Sequence, residues 1–128
     1  MANYTHKNLS EVKDSAPEFG FAERHEVRFA RGDLGAERTG LSHIKVKPGK
    51  RMAFAHRHDE AEEIYVVIAG SGRIKLDDEI VDLVELDAVR VAPAVGRSFE
   101  AGPEGLSVLA VGAHHENDGE LLHDWWTD

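Results

Sequence analysis

The sequence predicts an all-β fold in a single domain, and three observations carry that reading. From about His25 onward, short stretches rich in β-branched and apolar residues alternate with Gly, Pro and acidic turn residues, at intervals near ten. The 128 residues fit one domain and suffice to close one packed core without staples. No internal repeat, low-complexity segment or linker divides them.

Residues 1–24 lack periodicity and contain Ser10, Ser15, Pro17 and Gly20, which predicts an extended arm with at most one helical turn after Ser10. The body of the fold is expected over 25–113, with strands at 25–31, 39–47, 52–58, 63–69, 72–76, 79–83, 88–92, 97–101 and 106–112. Pro48-Gly49 supplies a fixed φ followed by a permissive one, Asp77-Asp78 separates two alternating strands, and Gly102-Pro103-Glu104-Gly105 bounds the last pair. Arg31-Gly32-Asp33 matches an adhesion tripeptide in letters but reads as a turn at a strand end. The tail, 114–128, is polar until Trp125-Trp126, a pair expected to anchor it onto the body of the fold.

Composition narrows the chemistry. With no cysteine, neither disulfides nor thiolate metal sites are available, so any metal must be held by nitrogen and oxygen. Lys plus Arg is 15 against 24 Asp plus Glu, and the net charge of −9 disfavours a nucleic-acid partner. The first ten residues show no apolar run behind a basic start, and no window approaches a membrane span of roughly twenty apolar residues. A cytoplasmic protein without a membrane partner is the expectation.

The informative segment runs from Pro48 to Gly70. His56 and His58, two apart on a strand, project from one face and can converge on one ion. Met52 and Phe54 share that face, giving an apolar surface that ends in a polar rim, as small-molecule cavities do. Four residues separate His58 from Glu63, enough for a tight turn that brings an antiparallel strand alongside with Glu63 facing the histidines. Two imidazoles and a carboxylate suit a divalent ion of iron, manganese, nickel or zinc and leave positions open for substrate.

The block from Gly49 to Gly70 resembles the first cupin motif, G-x5-H-x-H-x3-4-E-x6-G. His56, His58, Glu63 and Gly70 fall at family spacing, and Gly49 stands one residue further from His56 than the motif has it. Asp87 to Pro93 looks like the opening of the second motif, with Leu86 where glycine is usual. Counting on from Pro93 places the family's fourth ligand, a histidine, at Ser98. The resemblance spans most of 25–112 and implies a double-stranded β-helix, or jelly-roll, barrel with the motif strands at its mouth. It implies a three-ligand metal site, His56, His58 and Glu63, without the fourth histidine.

The cavity is expected to be lined by Met52, Phe54, Tyr65, Val67, Ser98 and Glu100, with Glu100 the nameable acid or base. Arg97, at a strand start, reads as a solvated charge, with capture of an anionic substrate as the alternative. His43 reads as outward, and His114-His115 as a solvated pair beside a turn. In strand 63–69, Tyr65 and Val67 face inward while Ile64, Val66 and Ile68 give an apolar outer face, which predicts a homodimer. Two functions follow: a metal-dependent enzyme, oxygenase or isomerase in type, on a small organic substrate, or a non-catalytic ligand-binding or regulatory barrel, with metal or as a relic of the motif without it.

Overall fold

Alternating inward and outward side chains over long antiparallel strands curl this chain into a jelly-roll barrel, described by a computed structural model for residues 3–128. The strands are β1 (His25–Phe29), β2 (Thr39–Val46), β3 (Ala55–His58), β4 (Glu63–Leu76), β5 (Glu79–Leu83), β6 (Ala88–Val91), β7 (Arg97–Ala113) and β8 (Gly119–Leu122). All pairings are antiparallel: β1 with β2, β2 with β7, β7 with β3, β3 with β8, and β4 with β5, β6 and β7. The core between the curled faces gathers Ile44, Val46, Tyr65, Val67, Ile74, Val91, Phe99 and Val108.

Five features depart from the expected elements. The stretches 63–69 and 72–76 form one strand, β4, and 97–101 and 106–112 form one strand, β7. Their register slips between Gly70 and Gly72, where the single Ser71 stands against the excursion 102–105 of β7. Gly102-Pro103-Glu104-Gly105 is thus a bulge inside a strand, where proline's missing N–H goes unneeded. Gly70 has φ 78°, and a Cβ there would lie 2.1 Å from the Gly105 carbonyl oxygen, so glycine is required.

Arg31-Gly32-Asp33 opens a four-residue helix, α1 (Arg31–Leu34), ended by Gly35 at φ 68°, rather than a turn. The polar tail contributes β8, whose backbone pairing with β3 needs no apolar pattern. The fourth departure is the arm. Its one expected helical turn becomes two 3-10 turns, Leu9–Glu11 and Ala16–Phe19, and Asp14 Oδ1 accepts from the Ala16 and Val27 amides, which ties it to β1. Residues 1 and 2 of the expected arm lie outside the described residues. Finally, β3 bonds to β7 and β8, not to β4. Among the described residues no helix is long and apolar enough to cross a membrane.

Candidate metal centre

Strand alternation in β3 turns His56 and His58 to the barrel interior, and the same alternation in β4 turns Glu63 and Tyr65 there. Because β3 and β4 are not paired, the glutamate meets the histidines across the barrel rather than along a hairpin. One ligand atom from each of His56, His58 and Glu63 lies within 4.8 Å of the others. Glu63 Oε1 is the hub: it stands 3.2 Å from His56 Nε2 and 3.1 Å from His58 Nε2, and accepts from the Tyr65 hydroxyl at 2.6 Å.

Burial alone would raise the Glu63 carboxyl, but hydrogen bonds from His56, His58 and Tyr65 outweigh it and hold the group well below the usual carboxylate range. The same Glu63 contact raises His58. Burial raises the Tyr65 phenol far above its ordinary value, and the Glu63 charge adds to this, so Tyr65 stays protonated and acts as a donor. On its other side, His58 Nδ1 faces Asp118 Oδ2 at 3.3 Å. Asp118 is itself fixed by the amides of Asp59, Glu60 and Ala61, which fold the β3–β4 connection around its carboxylate.

Arg97 is corrected from a solvated charge to a fully buried one, 0% exposed, with Nη1 3.8 Å from Glu63 Oε1 and Nη2 donating to the Ala92 carbonyl at 3.0 Å. It pairs with His56 in register, and Phe99, two residues on, packs edge-on against Tyr65. The inward parity of β7 at this end is therefore that of Arg97 and Phe99. Ser98 faces away, and its hydroxyl donates to the Phe54 carbonyl at 2.8 Å. Glu100 is taken up by Arg51 and Arg73 outside the cavity. Neither lines the cavity, and the acid or base expected at Glu100 is not at the site. Val67 also lies off the wall, packed in the core. A one-residue difference in register reverses every side chain, which is why the motif count puts the inward position at Ser98 and the folded strand puts it at Arg97.

The cavity, about 590 Å³, runs from the polar cluster along Met52, Phe54 and Tyr65 to aromatic residues of the arm and β1. Sequence reasoning missed Asp118, whose neighbours gave only a turn signal, and Phe19, Phe21 and His25, which no local pattern connects to the site. His43 bonds Ser107 Oγ at 2.7 Å, away from the cluster. His114 and His115 line the cavity mouth, and His115 Nδ1 stands 3.2 Å from Glu60.

The donor set fits a divalent ion: two imidazoles and one carboxylate converge, with the Asp118 carboxylate 3.3 Å behind His58 Nδ1. The neighbouring Arg97 charge opposes the ion and weakens the fit.

A sequence profile of the cupin domain matches residues 42–112. Among solved structures, a cupin protein from Bacteroides fragilis superposes with a TM-score of 0.73 at 22% identity, covering 91% of this chain and 89% of that one. The polyketide cyclase RemF from Streptomyces resistomycificus gives 0.74 at 18% identity, covering 97% and 87%. A variant of oxalate decarboxylase from Bacillus subtilis gives 0.76 at 23% identity, covering 98% of this chain and 34% of that one. At such identities the likeness is one of fold. No functionally curated protein matches.

Proposed function

This chain belongs to the cupin family, and on that premise we propose that it is a metal-dependent enzyme acting on a small organic substrate bound inside the barrel. The observation that carries the reading is the convergence of His56, His58 and Glu63 within 4.8 Å at the polar end of an apolar cavity. His56, His58 and Glu63 would hold the ion, which supplies Lewis-acid polarisation of a substrate oxygen. Asp118 sets its carboxylate 3.3 Å from His58 Nδ1, on the side of the ring away from the centre. Tyr65, protonated, offers a hydrogen bond at the same place, and the wall of Met52 and Phe54 excludes water beside it. An oxygenase or isomerase chemistry suits this set.

A second reading, a ligand-binding barrel without turnover, is favoured by one observation. Glu63 already has donors in Tyr65 and the histidines and a counter-charge in Arg97, so the cluster is compensated without an ion.

Elemental analysis of protein purified without a histidine tag separates the two. The metal reading expects close to one divalent ion per chain, lost in His56→Ala. If the protein holds no ion and iron, manganese, nickel and zinc all leave its melting temperature unmoved, the second reading replaces the first.

A further inference from the structure

We propose that the cavity takes a planar, fused-ring aromatic compound, stacked on phenylalanine faces, hydrogen-bonded at one edge to His25, and bearing its polar substituent at the His56, His58 and Glu63 end. The polar end rests on the function proposed above, whereas the aromatic end stands without it.

Of the five phenylalanines in the chain, four line this one cavity: Phe19, Phe21, Phe29 and Phe54. The core elsewhere is built mainly from Val, Ile, Leu and Ala. Phe21 packs in part on the core, but Phe19 and Phe29 are not spent on packing and remain 62% and 56% exposed. Aromatic surface left facing a cavity keeps its unfavourable hydration until something apolar covers it. Phe21, Phe54 and His25 form the contiguous part of this wall. Phe21 and Phe54 have centroids 5.1 Å apart, and His25 stacks on Phe21 at 5.7 Å while meeting Phe54 edge-on at 6.4 Å.

Such a wall discriminates by chemistry. A flat π-system gains offset stacking on it, a saturated ring gains only contact, and a sugar would bring hydroxyls to a surface with few partners. His25 is the polar break: 1% exposed, with Nδ1 lacking a hydrogen-bond partner among the described residues. Burial lowers its pKa, so the ring is neutral and able to meet a hydroxyl or carbonyl. About 590 Å³ accommodates a ligand of drug size.

The test is calorimetric titration of the full chain with a naphthalenediol carrying hydroxyls at opposite ends, with unsubstituted naphthalene, and with the saturated decalindiol. The wild type is expected to prefer the naphthalenediol over the decalindiol by roughly tenfold. Phe19→Leu/Phe29→Leu keeps apolar bulk at two exposed positions but removes the π faces, and should bring the two diols near parity. His25→Leu should weaken the diol while sparing naphthalene. Equal affinity of both diols for the wild type, or an undiminished preference in the double variant, overturns the aromatic assignment; equal loss of diol and naphthalene in His25→Leu overturns the anchor. In His56→Ala the preference for aromatic rings should persist, so a failed metal reading leaves this result standing, and a failed ligand class shows itself in protein of normal metal content.

Discussion

One step along β7 separates a buried guanidinium facing Glu63 from a hydroxyl turned onto the Phe54 carbonyl. Exchanging these two positions gives opposite expectations. Arg97→His removes the opposing charge and offers an imidazole from the inward face, so zinc or manganese affinity should rise by roughly tenfold or more. Ser98→His should leave it unchanged, and tightening in Ser98→His alone would reverse the register. At the other end of the cavity, burial holds His25 below its ordinary value of 6.5. Its unfolded form therefore binds more protons below that pH, and stability is full above it and lost as pH falls toward the lowered native value. The loss is at most about 1.4 kcal/mol per pH unit. Urea midpoints of wild type and His25→Leu, compared from pH 7 to 5, should show the flatter profile for His25→Leu, because His43 and His58 are common to both.

At the scale of elements, β4 and β7 form the spine, paired from Glu63↔Gly112 to Leu76↔Arg97. The register of this ladder shifts twice, between Val67 and Ala69 and between Gly70 and Gly72, the second shift at the bulge. Gly70 sits against the Gly105 carbonyl in a left-handed conformation, so Gly70→Ala brings a backbone clash as well as strain. Denaturant unfolding should show a loss of more than about 3 kcal/mol. Leu86, where the motif has glycine, takes φ 72°, so the backbone keeps the turn although the side chain is not the usual one.

For the whole molecule, the outer face of β4 is an exposed apolar patch made by paired strands. Ile64 and Val111, partners in register, are 44% and 38% exposed, and Ile68 is 38% exposed. A solvated sheet face would alternate to polar here. The expected state is a homodimer through this face, measured as twice the chain mass by light scattering, with Ile64→Lys/Val111→Lys giving the monomer. A wild-type monomer at all concentrations would reject it. The tail closes the opposite side: Trp125 covers Gly96 and Lys75, whose ammonium donates to the Trp125 carbonyl, while Trp126 stacks under Arg51.

What the sequence determined by itself is whatever depends on local period and spacing. The strand rhythm announces an all-β chain, the two-residue separation of His56 and His58 puts both on one face, and the interval to Gly70 marks the motif, because alternation is a property of each strand alone. Only the tertiary structure decided which strands are continuous, since a Gly-Pro bulge and a Gly-Pro turn read alike until a partner strand is present. It also decided that Arg97, not Ser98, faces Glu63, because inward parity is set by the sheet a strand joins and a bulge resets it. Asp118 and the phenylalanines of the arm reach the site across the barrel, and no spacing along the chain records a contact made by folding.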